Sequence, residues 1–161
     1  MKKIILFIIY FFIFIEIINA EESMPVDVIA NSMEWDDEKR TAYAKGNAEA
    51  TQGERKLSAD ELIVYLNKEK GNNEVTIIEA LGNVIFINNT EIASGEKAKY
   101  DLIENNIIIQ NNVILRKNEN IMAGEFLEMN LETGVSKIKS KKENERVRVR
   151  FSTNNENLNN E

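Results

Sequence analysis

An all-β fold of repeated, bent antiparallel strands, open at both edges, is predicted by three observations. The first is internal repetition. Gly82-Asn83-Val84-Ile85-Phe86 is followed by Gly95-Glu96-Lys97-Ala98-Lys99-Tyr100-Asp101-Leu102, with Gly95 twelve positions after Asn83. The same spacing joins Gly46-Asn47 to Ala59-Asp60-Glu61-Leu62, and Asn111-Asn112 to Gly124-Glu125-Phe126-Leu127. Ala30-Asn31-Ser32-Met33 adds one more second half, and the steps between Ala30, Ala59, Gly95 and Gly124 are 29, 36 and 29 residues. Such self-similarity marks a repeat architecture. The second observation is a period of two that survives from copy to copy, in Leu62/Val64/Leu66, Ala98/Tyr100/Leu102 and Leu127/Met129/Leu131; it is the signature of strands with one buried face. The third is that short polar turn segments separate the strands, which favours hairpins over crossovers.

The chain begins with Lys2 and Lys3, an apolar run from Ile4 to Ile15, then Glu16-Ile17-Ile18-Asn19-Ala20 before Glu21-Glu22. This is the layout of a secretory signal peptide over residues 1–20, with cleavage after Ala20. The run is shorter than the roughly 20 apolar residues of a spanning helix. Ile18, large for its place three residues before the cut, keeps a retained anchor as the alternative. Pro25, the single proline, falls at the start of the first strand, where a missing donor costs least.

Next come three long alternating segments: Ala42, Ala44, Gly46, Ala48, Ala50; Ile78, Ala80, Gly82, Val84, Phe86; Ile107, Ile109, Asn111, Val113, Leu115. In each, the Gly or Asn interrupts one place, as expected for a bulge or bend with positive φ. Leu57 to Gly71 offers a rival helix, because Ser58 and Glu61 have capping-box spacing, but the alternation shared by the copies rejects it. Turn signals stand at Asp36-Asp37-Glu38-Lys39, Lys68 to Asn73, Glu104-Asn105-Asn106 and Glu132-Thr133-Gly134. The Gly71-Asn72-Asn73 turn absorbs most of the longer middle step. Two facing sheets or one folded-over sheet both satisfy this pattern. Lys137, Lys139, Lys141, Lys142, Arg146, Arg148 and Arg150 predict a last strand with one basic face. The Asn- and Glu-rich residues 153–161 have nothing to bury and are expected to be a disordered polar tail. One domain, residues 21–152, is therefore expected in a 161-residue chain.

Composition narrows the function. With no Cys and no His, thiol nucleophiles, histidine bases, histidine-ligated zinc and disulfides are all excluded. No cofactor is called for. A net charge of −7 opposes nucleic acid as a partner. Asp60, Glu96 and Glu125 recur at one repeat position, yet no nucleophile accompanies them, and turn geometry explains them better than acid–base chemistry. Asn88-Asn89-Thr90 matches a glycosylation sequon, a motif common by chance.

Taken together, Pro25 to Ala30, the Gly46-Asn47 and Gly82-Asn83-Val84 bends, Ala59 to Leu62, Gly95 to Tyr100 and Gly124 to Met129 resemble the OstA-like lipopolysaccharide-transport family, over residues 25–151. The resemblance implies a β-taco or β-jellyroll whose hydrophobic groove shields the lipid A acyl chains of lipopolysaccharide in the periplasm. It also implies non-enzymatic transport, edge-strand addition to inner-membrane and outer-membrane transport proteins, and head-to-tail self-association. Residues assigned to the lipid-binding interior on this basis are Val26, Val28, Met33, Trp35, Leu62, Val64, Ile78, Val84, Phe86, Ala98, Tyr100, Leu102, Ile107, Ile109, Val113, Leu127 and Met129. Core packing is the default for Trp35, and a rim contact with lipid its alternative. The basic strand would meet lipid phosphates or an acidic edge of the next protomer, or simply blunt edge pairing. Two features depart from the family pattern: Asn111 replaces a bend glycine, and the first repeat's inner face is nearly all alanine, which suggests a different groove width there. A membrane-anchored partner of the same fold, and a structural β-repeat scaffold with a dry core, are the alternatives.

Overall fold

The computed structural model describes residues 24–69, 73–140 and 146–151. The expected signal peptide and polar tail lie outside the described residues. Ten strands follow one another: β1 (Asp27–Ile29), β2 (Ser32–Asp36), β3 (Thr41–Gln52), β4 (Arg55–Leu66), β5 (Val75–Asn88), β6 (Glu91–Asp101), β7 (Asn106–Lys117), β8 (Asn120–Asn130), β9 (Ser136–Lys139) and β10 (Arg148–Arg150). They form one sheet in the order β1-β3-β4-β5-β6-β7-β8-β10, with β2 also on β3 and β9 also on β8. Every pairing is antiparallel. The expected hairpin meander is therefore one folded-over sheet. The sequon residues Asn89 and Thr90 form the β5–β6 turn.

Each strand from β3 to β8 has 11 to 14 residues, twice the usual length of about 5–6. Strands this long survive here because each bends near its middle. On β3, β5 and β7 two consecutive residues have positive φ: Gly46 (79°) and Asn47 (47°), Gly82 (76°) and Asn83 (47°), Asn111 (64°) and Asn112 (53°). Opposite each pair stands a single residue of the following strand, Asp60, Glu96 or Glu125, where the register shifts. Two residues against one is a β-bulge, which bends and twists the strand. Asn111 leaves the bend intact because asparagine, alone among ordinary side chains with Asp, visits the left-handed region readily.

The recurring acids serve the next bend along. Asn83 Nδ2 donates to Asp60 Oδ2 at 2.9 Å, and the Nδ2 groups of Asn111 and Asn112 donate to the two oxygens of Glu96. The expected turn at a strand start is corrected to a bulge within the strand: all three acids stand opposite a bend, and Asp60 and Glu96 also bind the next one. Replacing Asn83 by Ala removes both the tolerance of positive φ and this bond, and is expected to cost about 1–2 kcal/mol, measurable as a lower urea midpoint.

Bending lays two halves of the sheet over each other. One layer holds β1, the second halves of β3, β5 and β7, the first halves of β4, β6 and β8, and β10. The other layer holds β2, the remaining halves and β9. Between them lies one apolar cluster that includes Leu57, Leu62, Ile78, Phe86, Ile107, Ile109, Leu115, Leu127 and Met129, all at most 1% exposed. Ala42, Ala44, Ala48 and Ala50 supply the inner face of β3, as the alternation predicts, and all four are buried.

The expected single last strand is corrected to two. Lys137 and Lys139 sit on β9 against Phe126–Met129, while Arg148 and Arg150 sit on β10 against Ile121–Ala123. The edge is split where β8 bends: β9 pairs with the second half of β8 and β10 with its first half. The first edge obeys the same rule, since β1 and β2 separate at Ala30-Asn31, where the Asn31 amide donates to the Gly46 carbonyl at 2.9 Å. Lys141 and Lys142 lie outside the described residues.

Candidate functional site: an apolar interior with a polar rim

The two layers meet along the row of bends and part on the opposite side, among the hairpin turns. The interior between them gathers twelve of the seventeen sequence-assigned residues as buried side chains: Leu62, Val64, Ile78, Val84, Phe86, Ala98, Tyr100, Ile107, Ile109, Val113, Leu127 and Met129. Phe86 from one layer and Tyr100 from the other stack tilted, with ring centroids 5.8 Å apart. These two are not cross-strand partners, so the contact closes the interior from wall to wall. Val26, Val28 and Leu102 are partly buried against the cluster.

Met33 and Trp35 are not brought into it. They share the inner face through their partners Ala44 and Ala42, but are 53% and 50% exposed. β2 is an edge strand that pairs only with β3 among the described residues, so the expectation of core packing for Trp35 is corrected to an exposed edge position, where its Nε1 donates to Asp37.

Packing within the cluster is dense. A void of about 10 Å³, room for about one water, remains beside Leu57, Ile78, Phe86, Tyr100 and Arg55. At the rim the layers part more widely: a cleft of about 420 Å³ is bordered by Val26 and Gln52 on one layer and by Glu74, Val75, Leu102 and Ile103 on the other. Void and cleft share Val26 and Gln52.

Between them stands a polar clasp that the sequence reading missed. The Tyr100 hydroxyl donates to Gln52 Oε1 at 2.9 Å, while Arg55 Nη1 donates to the Tyr100 oxygen at 3.1 Å and to Asn105 Oδ1 at 3.0 Å. Gln52 and Arg55 flank one hairpin turn; Tyr100 and Asn105 flank another on the opposite layer, so the clasp ties the layers together. Further along the rim, Lys117 pairs with Glu91 and reaches the Gly134 carbonyl at 3.3 Å. A polar residue each side of a turn carries no periodic signal. One available clue was that Tyr100 alone among the inward residues bears a hydroxyl, which needs a partner when buried.

No group of three or more metal-capable side chains assembles among the described residues. On the outer face Tyr65 donates to Glu79 at 3.1 Å, and partial burial first, with the Glu79 charge second, raises its phenol above the ordinary value. The described edges differ in sign: β1 and β2 carry Asp27, Glu34 and Asp36, whereas β9 and β10 carry Lys137, Lys139, Arg148 and Arg150.

A continuous antiparallel sheet folded over an apolar interior, with both edges unclosed, defines a β-jellyroll of the open type. The family described as LptA/(LptD N-terminal domain) LPS transport protein matches residues 27–135, and the chain belongs to that family, one of transport proteins rather than enzymes. Among solved structures it is similar to LptH of Pseudomonas aeruginosa, described as the LptA homologous periplasmic component of the conserved lipopolysaccharide transport device, with a TM-score of 0.72 and 17% identity. That match covers 81% of this chain and 96% of the other. A search of curated proteins found no significant match.

Proposed function

We propose that this protein is a periplasmic carrier of lipopolysaccharide, holding lipid A acyl chains between its two layers while its edges dock neighbouring transport proteins and further copies of itself. The observation that carries the reading is the apolar interior continuing outward into the rim cleft at Val26. Acyl chains entering there displace side-chain contacts between the layers. Each methylene taken from water contributes about 0.8 kcal/mol, so a few of them offset the lost packing. The signal peptide over residues 1–20 and cleavage after Ala20 belong to this reading, as does the polar tail over 153–161. The assigned interior residues are the acyl contacts, with Met33 and Trp35 at the open edge.

The edges support docking by strand addition, since β1 and β2 pair only with β3, and β9 and β10 only with β8. Their opposite charges favour head-to-tail joining, acidic first edge to basic last edge. A membrane-anchored partner of the same fold is separated by mass, because an intact Met1 means an anchor.

The dense packing of the interior favours a second reading, a structural scaffold with a permanently dry core. Titration decides. The mature chain beginning at Glu21, carrying a photo-crosslinking residue at Phe86 or Tyr100, is mixed with lipopolysaccharide and irradiated. Saturable binding with crosslinks at both positions is expected; saturation absent and crosslinks absent leave the scaffold.

A further inference from the structure

Two cations border the void inside the apolar interior, Arg55 and Lys56; Lys56 is paired with Glu49, whereas the surroundings of Arg55 are unusual for a charged group. It is partly buried at the first residue of β4. Its protein partners, the Tyr100 hydroxyl and Asn105 Oδ1, are both neutral, and both bind Nη1. The ion pairs among the described residues are Lys39–Asp36, Lys45–Glu61, Lys56–Glu49 and Lys117–Glu91; none includes Arg55. A partly buried guanidinium with no carboxylate in ion-pair range among the described residues has given up some hydration without a counter-charge, and its field is felt more strongly there than in bulk solvent. Nε and Nη2 remain as a planar donor pair, the geometry that grips a carboxylate or phosphate with two parallel bonds.

We infer that Arg55 is the head-group anchor of a binding site for an amphiphile with an anionic head, phosphate or carboxylate, whose chain lies in the adjoining cleft. The inference rests on the reading that acyl chains enter the interior, and adds the charge of the head and the residue that selects it. Three placements converge. Val26 and Gln52 border both the void that Arg55 lines and the wide cleft, which puts Arg55 where the cleft meets the interior, within reach of a head whose chain lies in the cleft. Val75, Leu102 and Ile103 give that cleft its apolar wall. Tyr100 links the two functions, since its ring packs on Phe86 in the interior and its oxygen holds Arg55 at the rim.

The test uses the mature chain with four probes: dodecyl phosphate, laurate, the neutral dodecyl maltoside and lipopolysaccharide itself. Charge-assisted hydrogen bonds are strong enough that Arg55→Met should weaken dodecyl phosphate or laurate about tenfold or more, leave dodecyl maltoside within twofold, and abolish the salt dependence of the anionic probes. Arg55→Lys should fall between. A larger loss for dodecyl phosphate identifies a phosphate head as the partner, and a larger loss for laurate a carboxylate. Equal weakening of neutral and anionic probes, or none for either, overturns the anchor while leaving the acyl interior standing. Failure of every probe to bind the unaltered protein overturns both. Should Arg55→Met not fold, the Arg55 Nε–H resonance of the unaltered protein reads the same question: it should shift with dodecyl phosphate and stay with dodecyl maltoside, and an unmoved resonance overturns the proposal.

Discussion

Phe86→Ala is expected to destabilise the fold by about 3–5 kcal/mol, a large share of the roughly 5–15 kcal/mol that holds a domain of this size together. Phe86 is 1% exposed, and its ring bridges from its own layer to Tyr100 in the other. Its neighbours in the sheet are Leu57 and Ala93. The cost depends on whether those neighbours can collapse into the space. Leu57 and Ala93 are fixed by backbone ladders on both sides, and alanine has no atoms to lend. A void already lies beside the ring, so the truncation enlarges an existing gap rather than opening an isolated one. The loss is read from urea denaturation, as a lower midpoint at unchanged slope. This experiment also bears on function. A loss under about 1 kcal/mol means that the layers close over the gap, the mobility an interior needs to admit acyl chains; a full loss means that the layers are rigid without lipid.

The repeat made the fold legible. Among the described residues, Gly46-Asn47, Gly82-Asn83 and Asn111-Asn112 are the three places where the backbone takes two left-handed residues in succession, and spacing alone located each of them. Legibility failed where the phase of the alternation changes. Inward residues on β4 run Leu57, Ala59, then Leu62 and Val64, so the period of two slips by one at the bend. On β6, Ala93 is inward before the bend, whereas Ala98 and Tyr100 are inward after it. A one-residue slip exchanges the faces of a strand. Reading one phase through the whole segment therefore recovers the second halves and misses Leu57 and Ala93. The outer face adds to the ambiguity, because Ile85, Ile92, Ile114 and Ile121 are about 40% exposed yet as apolar as any core residue. The candidate site divides along the same line. Its apolar interior is periodic and was found, while Gln52, Arg55 and Asn105 sit beside turns, where the fold over the bends, not spacing along the chain, brings them to Tyr100. Trp35 shows the converse, correctly placed on the inner face but left uncovered because its strand is the last in its half of the sheet.

Gly82→Val is expected to cost about 3 kcal/mol, roughly half from backbone strain and half from crowding. A β-branched residue at φ 76° is held in a region it avoids, and the added Cβ would meet the Asp60 carboxylate that accepts the Asn83 bond. Gly134 separates the two contributions, since its φ is 70° but a Cβ there meets nothing within 4 Å. Gly134→Val should therefore show the strain alone, about half the loss. Adding Asp60→Ala to Gly82→Val should recover the crowding part and leave the strain, a coupling between the two sites of about 1–2 kcal/mol. Equal losses at Gly82 and Gly134, with no recovery by Asp60→Ala, would mean that the acid does not abut the bend. The bend carries more than local stability. It brings the two halves of β5 together, placing Ile78 and Ala80 in the layer that faces Val84 and Phe86. A Gly82→Val protein that remains folded should therefore bind lipopolysaccharide more weakly although no interior side chain has changed, because the distance between the layers is set at the bend.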